Sequence, residues 1–277
     1  MFDAPSPPSA ALLQDPAFAT ALRLCGAPPV VLPGGLIVLH RRIMGLHVAM
    51  LPRAIPPADL TDQLRGVGLH RLPLLLSPEE RCKIPRAMPL RKPRQIALLD
   101  LQVDGNTRLA RLHPKWRNQW RRAQASDLHI AHGALAADPQ HPLLRAETQQ
   151  RQHRGYTGWP APLTAAFASA APDQTRLFTA RHKGRIIAQM LFLLHGTAAT
   201  YHIGHTTAAG RARHAHNFLL IAACDWLSVT GHRSLDLGLL DPRTPDLNRF
   251  KLRTGAQVQT TGGTWLRWHP LARGVRL

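Results

Sequence analysis

His202 and His205 stand three residues apart in ATYHIGHT, a stretch whose alternation predicts a strand. An imidazole takes or gives a proton near neutral pH with little tuning, so either ring is a candidate general base. On an unbroken strand this spacing puts the two rings on opposite faces, and one at most serves a given site. Sixteen histidines in the chain leave purely structural roles open for both. Tyr201, one of two tyrosines, carries a phenol that either protonates a leaving group or packs. Asp236 lies inside the apolar run LDLGLL, where a carboxylate is costly without a partner. A substrate amine would make it functional; an arginine from a neighbouring element would make it structural. Asp241, just beyond, has the position of a turn or cap residue. His214-x-His216 and His129-x-x-His132 lack a third ligand at recognisable spacing, so no metal site is expected. There is no nucleophilic-serine elbow and no P-loop.

The elements that must position these groups are regular from residue 176 onward. Arg176–Arg181, Arg185–Leu194 and Ala198–His205 read as strands joined by Lys183-Gly184 and His195-Gly196-Thr197, an antiparallel meander. A helix is predicted over Arg211–Thr230, with Ala215, Phe218, Leu219, Ala222, Ala223 and Trp226 on one seam and Gly231 as its stop. Arg233–Leu240 is the next strand, reached through a helix and so expected to run parallel to its neighbour. A short helix over Asn248–Thr254 and a strand around Thr264–Trp268 follow. Upstream, NTRLARLHPKWRNQWRRAQA (106–125) carries Leu109, Leu112, Trp116, Trp120 and Ala123 at helical spacing, with Pro114 opening a fresh helix. Lys115, Arg117, Arg121 and Arg122 crowd its other surface, either as solvated cations or as phosphate contacts. Before that come a helix at Pro16–Leu24, strands at Leu36–Leu39 and Leu46–Leu51 around His40-Arg41-Arg42, a helix at Asp59–Val67, a strand at Arg71–Leu76, a loop over 77–95, and a strand at Gln95–Val103.

The chain has 277 residues, 44 % of them hydrophobic, enough for one large or two modest globular cores. No apolar run approaches bilayer length, and the start MFDAPSPPSA lacks a secretory pattern. Cys25, Cys82 and Cys224 are too few and scattered for a disulfide framework, so a reduced, cytoplasmic setting is expected. Against 35 Lys+Arg stand 16 Asp+Glu, a net charge of +19 spread through both halves of the chain. Such a field attracts polyanions, or reflects an arginine-rich habit with no particular partner.

The segments LARLHPKWRNQWRRAQ, KGRIIAQMLFLLHGTAATYHIGHTT, GHRSLDLGLLD and NRFKLRTGA, in this order, resemble the GNAT acyltransferases, and within them the Fem-like and BioF2-like branch. The resemblance implies an α/β fold with a mixed sheet flanked by helices and two GNAT-like halves. The expected boundary is residues 1–125 with the linking basic helix, then 126–277 as the acyltransferase core. It implies N-acyl transfer to a small-molecule or peptide amine by direct attack, and it places Lys251 of the FK pair at the transfer centre. There a lysine would stabilise an oxyanion or a phosphate; the plain reading is an exposed helix charge between Arg249 and Arg253. Asp236, His202 and Tyr201 complete the catalytic candidates. The donor implied is acyl-CoA or acetyl-CoA, with aminoacyl-tRNA, as in the Fem peptidoglycan-bridge enzymes, as the alternative. Thioester-binding members place a glycine-rich turn before the helix after the third strand, where backbone N–H groups hold the pyrophosphate. This chain has Gly210-Arg211-Ala212-Arg213-His214-Ala215-His216-Asn217 there, so Arg211, Arg213, His214 and Asn217 are the anion-binding candidates. A reading from another class is a degenerate GNAT fold that binds nucleic acid.

Overall fold

The computed structural model describes residues 11–268. The chain forms two compact units, one running to Gln95 and resuming at Gln259, the other Ile96–Val258.

In the first unit, helix α1 (Pro16–Leu24) begins where Asp15 accepts a hydrogen bond from the Ala17 N–H and proline occupies the first helical position, as the sequence predicts. Strands β1 (Val30–Val31), β2 (Ile37–Ile43) and β3 (Leu46–Pro52), helix α2 (Leu60–Gly66), and strands β4 (Leu74–Ser77) and β5 (Met88–Arg91) follow. Val38, Ala49, Leu51, Leu60, Leu64 and Leu76 form the core of this unit. Two expectations change here. The hairpin does not turn at His40-Arg41-Arg42: both strands run on and turn at Met44-Gly45, the two residues with positive φ. Residues 77–95 are not all loop, because 88–91 pair with a strand from the far end of the chain.

The second unit opens with β6 (Gln95–Asp100), α3 (Gly105–Ala110) and α4 (Pro114–Gln124); Pro114 does start a new helix. Then come β7 (His129–Gly133), α5 (Pro142–Arg154), α6 (Ala161–Ala170), β8 (Thr175–His182), β9 (Arg185–His195) and β10 (Ala198–Thr206). The meander is as expected. The long helix predicted next is broken: α7 (Ala208–Ala212) ends before His214, whose φ of 51° interrupts the helix, and α8 (Ala215–Val229) begins after it. Strand β11 (Ser234–Leu239) lies parallel to β10, followed by α9 (Pro245–Leu252) and β12 (Gln257–Thr260). The sheet order is β12-β6-β11-β10-β9-β8-β7, and α8, apolar on most of its surface, packs on it with Leu219, Leu220, Ala223 and Leu227 fully buried.

The last strand, β13 (Thr264–Arg267), was expected to finish the second core. It lies instead between β4 and β5 in the first sheet, giving β1-β2-β3-β4-β13-β5. The chain also divides after Gln95, upstream of the Ala125 boundary, because β6 pairs with β11 and α4 packs on α8. Both units thus hold mixed sheets with helices. Among the described residues no helix is long and apolar enough to cross a membrane.

Candidate functional site

β10 and β11 pair at Ala198↔Ser234, Ala199↔Leu235 and Thr200↔Asp236, and the pairing ends there although both strands continue. The reason lies one residue on. Against β9 the partners are Tyr201↔Phe192 and then Ile203↔Leu191, so His202 is an extra residue in β10. Such a bulge bends its strand and re-aims a side chain. It also resets the alternation, so the opposite-face argument for His202 and His205 does not apply.

On the β11 side, the Asp236 carboxylate accepts the Gly238 N–H at 2.6 Å, closing a turn in which Gly238 has φ +83°. Lys251 on α9 reaches back to this turn. Its Nζ donates to the Leu239 carbonyl at 2.8 Å, and the residue is only 5 % exposed. The exposed-charge reading therefore fails for Lys251, whereas Arg249 on the same helix is exposed and pairs with Asp246. Burial pushes the Lys251 ammonium down to about 8, and the Asp236 charge works against that fall. Asp241 is the turn residue expected, accepting the Arg243 N–H and pairing with its guanidinium.

On the β10 side, His202 shares a 3.0 Å hydrogen bond with the Thr164 hydroxyl of α6 and meets the edge of Trp159. Burial lowers it to about 4, which makes it a neutral imidazole at pH 7 and a poor base, contrary to the expectation of little tuning. Burial raises the Tyr201 phenol, so it stays protonated. The phenol lies over Gly204, where a Cβ would stand 1.8 Å from its oxygen. Gly204→Ala should swing the phenol away. We expect at least about a tenfold loss of turnover with unchanged circular dichroism if the Tyr201 proton is used. Tyr201→Phe, which keeps the ring in place, should lose as much; full turnover in that variant would reduce Tyr201 to packing.

The sequence reading missed Glu147 and Tyr156. The Tyr156 hydroxyl donates to Glu147 Oε2 at 2.8 Å and receives the Gln150 amide at 3.0 Å. Burial raises both groups, Tyr156 to about 12, and the Glu147 charge acts on Tyr201 as well. A signal was available: Glu147 is the sole glutamate between residues 96 and 258 of a strongly basic chain.

Around α7 the backbone is already engaged. The N–H of Gly210 goes to the Thr207 hydroxyl, Arg211 N–H to Thr207 O, Arg213 N–H to Ala209 O and His214 N–H to Arg211 O. Gly210 is required by packing, since a Cβ would lie 2.3 Å from the Ile187 carbonyl. The guanidinium groups of Arg211 and Arg213 turn to the Thr206 and Ala209 carbonyls. Asn217, in the first turn of α8, is 5 % exposed with its Nδ2 unpartnered, and the buried indole N–H groups of Trp116 and Trp120 on α4 are unpartnered too. Three buried donors without acceptors, on two packed helices, are an unusual cost. His214 feels the Arg122 charge from α4, and Arg211 acts on His205 and His216, so the cations of α4 and α7 flank the start of α8.

No curated protein matches the sequence. Among solved structures, FemX superposes with a TM-score of 0.74 at 11 % identity, covering 96 % of this chain and 94 % of that one. The C-terminal domain of a putative lysylphosphatidylglycerol synthetase from Agrobacterium fabrum gives 0.60 at 17 %, covering 95 % and 91 %. L-PGS from Bacillus licheniformis gives 0.55 at 10 %, covering 95 % and 93 %. These likenesses establish the fold. The family model described as "Acetyltransferase (GNAT) domain" matches residues 110–251, which span α4, the meander, the point where β10 and β11 part, and Lys251. The chain belongs to the GNAT acetyltransferase-domain family.

Proposed function

We propose that the chain transfers an acyl group to an amine by direct attack in the cleft between β10 and β11, with aminoacyl-tRNA as donor. The observation that carries the reaction is the parting of these strands at Thr200↔Asp236, with the buried Lys251 ammonium held at the end of β11 and Tyr201, whose phenol lies over Gly204, next along β10. The amine nitrogen attacks the acyl carbonyl carbon, and the C–O bond to the carrier breaks. Lys251 would stabilise the oxyanion, and Tyr201 would give its proton to the leaving oxygen and regain one from the attacking amine. Glu147, held by Tyr156, is the proposed docking point for the acceptor ammonium and takes its first proton, leaving the neutral amine that attacks.

Support for the tRNA donor is the engaged backbone of α7. The N–H groups of Gly210, Arg211, Arg213 and His214 bond within the chain, which leaves fewer of them for a CoA pyrophosphate. The cations flanking α8 suit a larger polyanion. Acyl-CoA remains the second reading, supported by the unpartnered Asn217 amide near the start of α8. A single-turnover assay separates them: labelled aminoacyl-tRNA or labelled acetyl-CoA is mixed with enzyme and primary amines. Label should move to the amine from aminoacyl-tRNA. Movement from acetyl-CoA alone would overturn the donor assignment. No transfer from either, with equal binding of uncharged RNA and duplex DNA, would favour the nucleic-acid-binding reading.

A further inference from the structure

We propose that the β2–β3 hairpin tip is a contact point for an anionic lipid bilayer. The turn residues Met44 and Gly45 have φ of 49° and 83°, the pattern of a type I′ turn. Asparagine or glycine suits the first of these positions; methionine is strained there. Met44 is also 98 % exposed, and the pair behind it, Ile43↔Leu46, is 41 % and 61 % exposed. The sequence thus forgoes turn stability and solubility at one point, which points to a use for the apolar tip.

The register divides the tip into two faces. Ile43 and Leu46 lie on one, with Arg41 next behind them, while His40, Arg42 and His47 lie on the other, the face that carries Val38, Ala49 and Leu51 nearer the core. The Arg42 guanidinium folds to the Gly45 carbonyl at 3.2 Å, so its charge sits at the apex, and the His40 and His47 rings meet at 3.0 Å just behind. An apolar tip with an arginine close behind it on each face, Arg41 and Arg42, is the arrangement that enters the headgroup boundary of an anionic leaflet. The net charge of +19 adds attraction at longer range. A protein partner fits less well, because three protruding side chains fall far short of the area that a stable interface buries.

The test is co-sedimentation of the full chain with vesicles of phosphatidylcholine alone or mixed with phosphatidylglycerol. The chain should bind the mixed vesicles and bind the neutral ones at least about tenfold more weakly. Met44→Asn creates the preferred Asn-Gly turn, so it should raise the melting temperature while weakening vesicle binding about tenfold. Ile43→Thr, Met44→Asn and Leu46→Thr together should abolish the tip's share. Binding of the triple variant equal to that of the parent would overturn the proposal, as would absence of binding by the parent at low salt. A parent that is dimeric by light scattering and becomes monomeric with Met44→Asn would also overturn it, by assigning the tip to a second copy.

Discussion

Lys251→Ala should lower kcat by about 10²–10³ and leave donor affinity nearly unchanged. The expectation rests on where the ammonium sits: buried, hydrogen-bonded to the Leu239 carbonyl, and beside the turn that Asp236 closes. A cation held there costs stability before reaction and has most to gain when negative charge develops in the cleft. Were it holding a donor phosphate, the same substitution would raise KM and spare kcat. Lys251→Arg keeps a cation but changes its shape and reach, so partial activity is expected. Because burial holds the group near 8, the protonated form is lost as pH rises through that value, and kcat should fall on the alkaline side of pH 8. The arginine variant should lack that alkaline fall. Stability moves the opposite way: between pH 8 and the ordinary lysine range the unfolded chain binds more protons, so the folded state gains. Exposed Arg249 and partly exposed Arg253 are the controls, and equal small effects from all three alanine variants would remove Lys251 from the mechanism.

Donor affinity should collapse with salt. If Lys115, Arg121 and Arg122 of α4 act with Arg211 and Arg213 on a tRNA, binding releases counterions. A complex with these five phosphate contacts would lose about 10²–10³ in affinity between about 50 and 200 mM salt. A CoA thioester carries few charges and no condensed counterion atmosphere, so its affinity should decline far less. Titration calorimetry across that range reads the difference. Arg121→Ala with Arg122→Ala should flatten the slope by about two contacts without changing single-turnover transfer from saturating donor. A flat salt response for the bound donor would remove the polyanion from the donor assignment.

The sequence by itself determined the elements whose signals are local. Helix α1 has its cap and proline in consecutive positions, and β8, β9 and β10 alternate between hairpin-length turns. The parallel placement of β11 follows from the helix that precedes it. A carboxylate inside the apolar run LDLGLL marks Asp236, and the resemblance carried by NRFKLRTGA marks Lys251. Helices α5 and α6 were illegible for a physical reason: α5 buries only Leu143 and Leu144, so it shows no apolar seam, and Glu147 went unnoticed with it.

Only tertiary structure decided the rest. A short strand such as TWLR can pair with any open edge, and its choice of β4 and β5 depends on partners more than 170 residues away. The bulge at His202 leaves no mark in composition, yet it parts the strands and cancels a face argument based on period two. Lys251 shares its helix with Arg249, and nothing in PDLNRFKL tells which cation is buried; the docking of α9 against the end of β11 decides it. The charge state of His202 follows the same logic, because burial by Trp159 and α6 is a property of packing and cannot be read from the residue itself.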